Sequence, residues 1–138
     1  MITRLRDELG GHLTGARIGV LGLAFKTGTN DLRDSPAARI ASSLADLGAI
    51  VTAHDPTVDQ DVPGLTVRPD MYDVALGADG LVLLTDWPEY HALDWTYVAG
   101  LMAGDLVLDT RNTLDPQHLG HTGLRCVTLG RSQAQHRP

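Results

Sequence analysis

At 138 residues, with 43% hydrophobic and 20% charged side chains, the chain has the size and composition of one globular domain, which excludes disorder for its body and removes any need for a metal or disulfide staple. A formal net charge of −6 and an aromatic content of 4% argue against nucleic-acid binding, which wants basic and stacking surfaces. The single cysteine, Cys126, excludes an internal disulfide and a cysteine-based zinc cluster, and no apolar run approaches the ~20 residues of a membrane span.

Residues 2–13 place Ile2, Leu5, Leu9 and Leu13 at helical spacing, with Gly10, Gly11 and Gly15 weakening the end. This opening is charged and has no apolar signal core, so the expected location is cytoplasmic. Residues 16–22 are short and apolar and predict a buried strand, followed by a loop rich in turn formers over 23–35. Ser35-Pro36 is a helix start, because Ser caps exposed N–H groups and Pro lacks the N–H that would be orphaned at the first position. The helix is expected over 37–47, with Ala37, Ile40, Ala41, Leu44 and Leu47 on one face and Gly48 ending it. A strand over 49–53 completes a βαβ unit, whose crossover should be right-handed.

The alternation continues. A short strand is expected over 65–67, a two-turn helix over 70–76, a strand over 79–84, a turn over 87–90, and a helix over 94–102. A strand over 106–109, one helical turn over 115–119 and a last strand over 124–129 follow. There is neither an internal repeat nor a linker. The pattern predicts a single three-layer, Rossmann-like α/β domain: an open, mostly parallel sheet of five or six strands with helices on both faces. The domain is placed at 1–131, with 132–138 as a polar, frayed tail.

Doubly wound sheets bind ligands beyond the carboxyl ends of their strands. Phe25, Lys26 and Gly28 follow the first strand, His54 and Asp55 the second, Asp86 and Trp87 the strand at 79–84, and Arg111 and Asn112 the strand at 106–109. Lys26, the only lysine, and Arg111 are the cations nearest this edge, and two cations there suit a phosphate or diphosphate. The same pattern also allows a solvated Lys26 and an Arg111 paired with Asp109 or Asp115.

Gly19, Gly22 and Gly28 do not fit the dinucleotide fingerprint, and no glycine precedes Lys26 as a phosphate-binding loop requires. The six histidines lack metal-ligand spacing, so no metal site is expected. Cys126 has no base placed for it and reads as an inert thiol. Asp31 and Arg33 read as a loop brace, and Asp86 and Glu89 as a turn before a helix.

The run from Ile18 through Ala37, containing Gly22-Leu23-Ala24-Phe25-Lys26 and Thr29-Asn30-Asp31-Leu32-Arg33-Asp34-Ser35-Pro36, resembles the motif that opens the C-terminal domain of UDP-glucose/GDP-mannose dehydrogenases. It departs once, with Asn30 for the first Asp. His54-Asp55-Pro56, Thr85-Asp86-Trp87-Pro88, Asp109-Thr110-Arg111-Asn112 and Leu129-Gly130-Arg131 agree with it too. The resemblance implies a domain that holds a UDP- or GDP-linked sugar, with Phe25, Lys26 and Arg111 as its contacts and no catalytic residue of its own.

In family enzymes NAD oxidises the C6 hydroxyl of the sugar in two steps, NAD sits in a separate N-terminal domain, and the catalytic cysteine lies upstream in a Gly-Gly-x-Cys motif. Cys126 does not match that motif. This chain is therefore expected to be inactive alone and to bind no cofactor itself, its partners being a nucleotide sugar and either a second copy or a separate dehydrogenase half. It reads either as part of a longer enzyme or as a stand-alone protein. The alternative function is a non-catalytic interaction or regulatory module that kept the fold without the ligand.

Overall fold

The structure, a computed structural model, describes residues 2–23, 35–58, 62 and 64–129. One sheet of six parallel strands runs through it: β1 (Arg17–Leu21), β2 (Ile50–His54), β3 (Thr66–Val67), β4 (Gly80–Leu83), β5 (Leu106–Asp109) and β6 (Arg125–Thr128), in the order β3-β2-β1-β4-β5-β6. The chain walks outward from β1 to β3, then returns across β1 and walks the other way. The reversal falls between β1 and β4, which leaves a crevice at their carboxyl ends.

Right-handed crossovers travelling in opposite directions from β1 put their helices on opposite faces. The two cores follow that rule. Ile18, Val20, Val51, Ala53, Val82, Leu106 and Leu108 point to one face, where α1 (Ile2–Glu8) contributes Leu5 and α2 (Pro36–Asp46) contributes Ala37, Ala41 and Leu44. Leu21, Leu81, Leu83 and Val107 point to the other. There they meet α3 (Met71–Ala75), α4 (Pro88–His91), α5 (Trp95–Leu101) and α6 (Pro116–His121) through Val74, Tyr90, Val98 and Leu119. Strands buried on both faces read as apolar runs, which is why their sequence signal is strong.

The α2 boundaries match the sequence reading. Ser35 Oγ accepts from Ala38 N at 3.1 Å, Pro36 takes the first position, and at the far end Gly48 N donates to Ala45 O and Ala49 N to Leu44 O. These last two bonds are the paired closure of a Schellman motif, for which Gly48 takes φ +97°. Three expectations need correction. Leu47 is half exposed because it is the C-cap and not a core position. Helix α1 stops at Glu8, where two successive glycines of positive φ break it. The 87–90 turn is the short helix α4, which Pro88 starts. The expected tail at 132–138 lies outside the described residues.

Candidate functional site

Parallel register aligns one row of residues along the carboxyl edge: His54, Leu21, Leu83, Asp109 and Thr128, on adjacent strands. The next residue of each strand leaves the sheet, so the exits of β2, β1, β4 and β5 stand side by side. The exits of β1 and β4 touch. Leu84 N donates to Leu21 O at 2.9 Å, and Gly22, with φ +101°, lies so close to Thr85 that an added Cβ would stand 2.5 Å from the Thr85 Cβ. Gly22 is thus required both by its backbone angle and by this approach.

Asp55, 2% exposed, gathers three exits around one carboxylate. Its Oδ2 accepts from Leu23 N at 2.8 Å and from the Trp87 indole at 3.0 Å. Its Oδ1 accepts from Thr57 N at 2.8 Å and the Thr57 hydroxyl at 2.7 Å. Donors on both oxygens offset the cost of burying the charge. Beside it, the Tyr90 hydroxyl donates to the His54 carbonyl at 2.9 Å. With that proton committed, Tyr90 can only accept at His54 Nδ1, 3.1 Å away, so the neutral His54 ring carries its proton on Nδ1. Burial lowers the pKa of His54, and the neighbouring Asp55, Glu89 and Asp70 only partly counter it. Burial also raises that of Tyr90. Both groups therefore stay neutral around pH ~7.

The β5 exit is organised by a second buried carboxylate. Asp109 Oδ1 accepts from Arg111 N and Asn112 N, and Oδ2 from Thr113 N and Leu114 N, all at 2.8–2.9 Å. Thr110 Oγ1 donates to Leu83 O at 2.6 Å, tying the turn to the β4 end. Asn112 takes φ +59° to close the wrap, a conformation Asn tolerates. The turn presents Arg111 to solvent. Neither expected acid pairs with its guanidinium: Asp109 is fully committed to backbone N–H groups, and Asp115 caps α6 by accepting from Gln117 N at 3.0 Å. Because the charge of Asp109 is answered internally, it opposes an incoming anion less than a free carboxylate would.

Phe25, Lys26 and the Asp31–Arg33 pair lie outside the described residues. Arg111 follows β5, and β5 lies two strands from β1, a separation of ~10 Å at the usual strand spacing. Asp86, beyond the β4 end, pairs with His91 Nε2 at 2.6 Å, so the Asp86–Glu89 turn is held by a side-chain contact that the sequence reading did not contain. The Asp55 and Asp109 hubs were also missed. Their only signal was an Asp at or just after a strand's end before a turn.

Residues 22–35 lie between the end of β1 and the start of α2. Among the described residues no group of three His, Cys, Asp or Glu could hold a metal ion, and no helix is long and apolar enough to cross a membrane.

Residues 19–116 match the UDP-binding domain of the UDP-glucose/GDP-mannose dehydrogenase family. The UDP-glucose 6-dehydrogenase of Rhizobium meliloti (strain 1021) is 39% identical over 126 residues, covering 88% of this chain and 29% of that protein. Two solved structures share the fold. The NDP-N-acetyl-D-galactosaminuronic acid dehydrogenase of Methanosarcina mazei Go1 aligns with TM-score 0.82 and 25% identity over 99% of this chain and 29% of its own. The UDP-D-ManNAc dehydrogenase of Pyrococcus horikoshii aligns with TM-score 0.74 and 28% identity, over 94% and 29%. The chain thus spans about three tenths of the length of these relatives.

Proposed function

Because the chain belongs to the UDP-glucose/GDP-mannose dehydrogenase family and spans its UDP-binding domain, we propose that it binds a nucleotide sugar through the diphosphate, at the crevice where the β1 and β4 exits meet. The observation that carries this reading is the β5 turn, in which a buried carboxylate spends itself on backbone N–H groups and leaves Arg111 outward and unpaired among the described residues. Phe25 and Lys26, in the segment that follows β1, are the other proposed contacts. Arg supplies a planar fork for phosphate oxygens and Lys a mobile point charge. Together they offset locally the net charge of −6 that would otherwise repel a diphosphate.

On this reading the chain supplies binding and not hydride transfer. NAD belongs to a dehydrogenase half like that of the relatives, and the partner is that half or a second copy. Calorimetric titration of the 138-residue chain with UDP, UDP-glucose, GDP-mannose, uridine and NAD is the test. UDP or a nucleotide sugar should bind weakly, in the micromolar-to-millimolar range, because half of a shared site is being measured. Absence of binding by every diphosphate would favour a module that kept the fold without the ligand.

A further inference from the structure

Among the described residues four large apolar side chains are more than half exposed, Leu47, Ile50, Leu76 and Tyr97, and they are not scattered. Leu47 caps the C-terminal end of α2, Leu76 caps that of α3, and Ile50 opens β2. All three therefore stand at the amino edge of the sheet, opposite the crevice. Ile50 and Leu76 wall one cavity of ≈ 50 Å³ together with Ile18, Thr52 and Val74. Tyr72 precedes Leu76 by one turn, and Tyr97 of α5 packs against it edge to face, with ring centroids 5.0 Å apart. The four thus form one strip that starts at the amino edge and continues along α3 to α5. A single exposed apolar residue needs no explanation, but four in one strip mark a contact surface.

We propose that this strip docks a second copy of the chain, in a twofold, self-complementary contact centred on Leu76. Charge selects the occupant. The chain carries −6, so two copies repel unless the contact itself is balanced. The Arg17 guanidinium reaches Gly77, next to Leu76: a Cβ on Gly77 would stand 3.4 Å from its Nη1. Asp73 lies three residues before Leu76, on α3. Both are exposed, and neither has an ion-pair partner among the described residues. A twofold axis at Leu76 brings Arg17 of each copy to Asp73 of the other, so one arrangement makes two ion pairs. The area agrees. Four large side chains at this exposure offer on the order of 400 Å² of mostly apolar surface. A stable pair takes ~800 Å² from each partner, about half or more of it apolar. The strip supplies that apolar core and the flanking charges supply the rim. Docking at the amino edge leaves the crevice of both copies open, so the inference does not depend on the nucleotide-sugar reading.

Sedimentation equilibrium of the full chain, from about 5 to about 500 micromolar, is the test. The 14.8 kDa monomer should pass to twice its mass, with a dissociation constant in the micromolar range. Leu76→Asp and Tyr97→Asp should each raise that constant at least tenfold. Both should keep the parental circular dichroism and melting temperature at a concentration where the parent is monomeric. Arg17→Glu and Asp73→Arg should each weaken pairing at least fivefold, because each sets like charges across the axis. An equimolar mixture of these two should pair as tightly as the parent, since every charge then meets its opposite. Should Leu76→Asp not fold, Tyr97→Asp and the mixture decide. A parent that stays monomeric over the whole range overturns the proposal and leaves the strip to a different protein. A dimer whose constant both Asp variants leave within twofold overturns it too, because the contact then lies elsewhere. A mixture that pairs no better than either charge variant alone overturns the twofold contact and the proposal with it.

Discussion

Gly22 and Thr85 bring the β1 and β4 exits together more closely than any side chain on Gly22 would allow: a Cβ there would stand 2.5 Å from the Thr85 Cβ and 2.6 Å from its backbone N. Gly22 also takes φ +101°, which L side chains rarely adopt. Gly22→Ala should lower the unfolding free energy by about 2–4 kcal/mol. Adding Thr85→Ala should restore less than half, since the Thr85 backbone and the Gly22 angle remain. Denaturant titration of both variants checks this, and a parental midpoint for Gly22→Ala would refute the close approach.

The Asp109 wrap should fail when its charge is removed. In Asp109→Asn an amide NH2 faces N–H groups on one side of the turn, leaving two buried donors without an acceptor. At ~1–3 kcal/mol for each such group, the loss should be about 2–6 kcal/mol. Because the wrap also sets Arg111, UDP affinity should fall below that of the parent even well under the melting temperature. A stable Asp109→Asn with unchanged UDP binding would contradict both statements.

Lys26→Ala and Arg111→Ala should each weaken UDP about tenfold or more, the scale of one charge-assisted hydrogen bond, while uridine binding changes little. Added salt should weaken UDP for the parent and less so for each variant. Retention of parental UDP affinity by either variant would remove that residue from the proposed contacts.

His54 gives stability a dependence on pH. Its folded pKa lies below the ordinary 6.5, so the native state resists the proton that the unfolded chain accepts. Its contribution is therefore complete above about pH 6.5 and is lost as the pH falls through the lowered folded value. Melting temperatures taken from about pH 7 to about pH 5 should fall, and fall less steeply for His54→Asn, which takes up no proton in that range. Equal slopes for parent and variant would assign the loss to other groups.

Alone, the chain should not form NADH from UDP-glucose or GDP-mannose when supplied with NAD. The spacing of Gly19, Gly22 and Gly28 does not fit the dinucleotide fingerprint, and Cys126 lies in β6, on the far side of β5 from the crevice. NADH formation by the purified chain would contradict this.

Much of the fold was legible in local patterns, because local physics determines them. A strand buried on both faces must be an apolar run, and Ser35-Pro36 and Gly48 answer the unmet hydrogen bonds of a helix's own ends. Lys26 lies outside the described residues; Arg111 was legible near the predicted edge for the same reason, since it stands two residues beyond the end of β5. Which strands stand beside β1 was not, because the order depends on how whole βαβ units pack. That order alone decides that β4 adjoins β1 and that β5 lies two strands away. The carboxylate of Asp55 illustrates the limit. Its Oδ2 partners, Leu23 and Trp87, each lie 32 residues from it, one before and one after. Only the tertiary structure brings these three exits to one buried oxygen, where loss of water makes the hydrogen bonds obligatory.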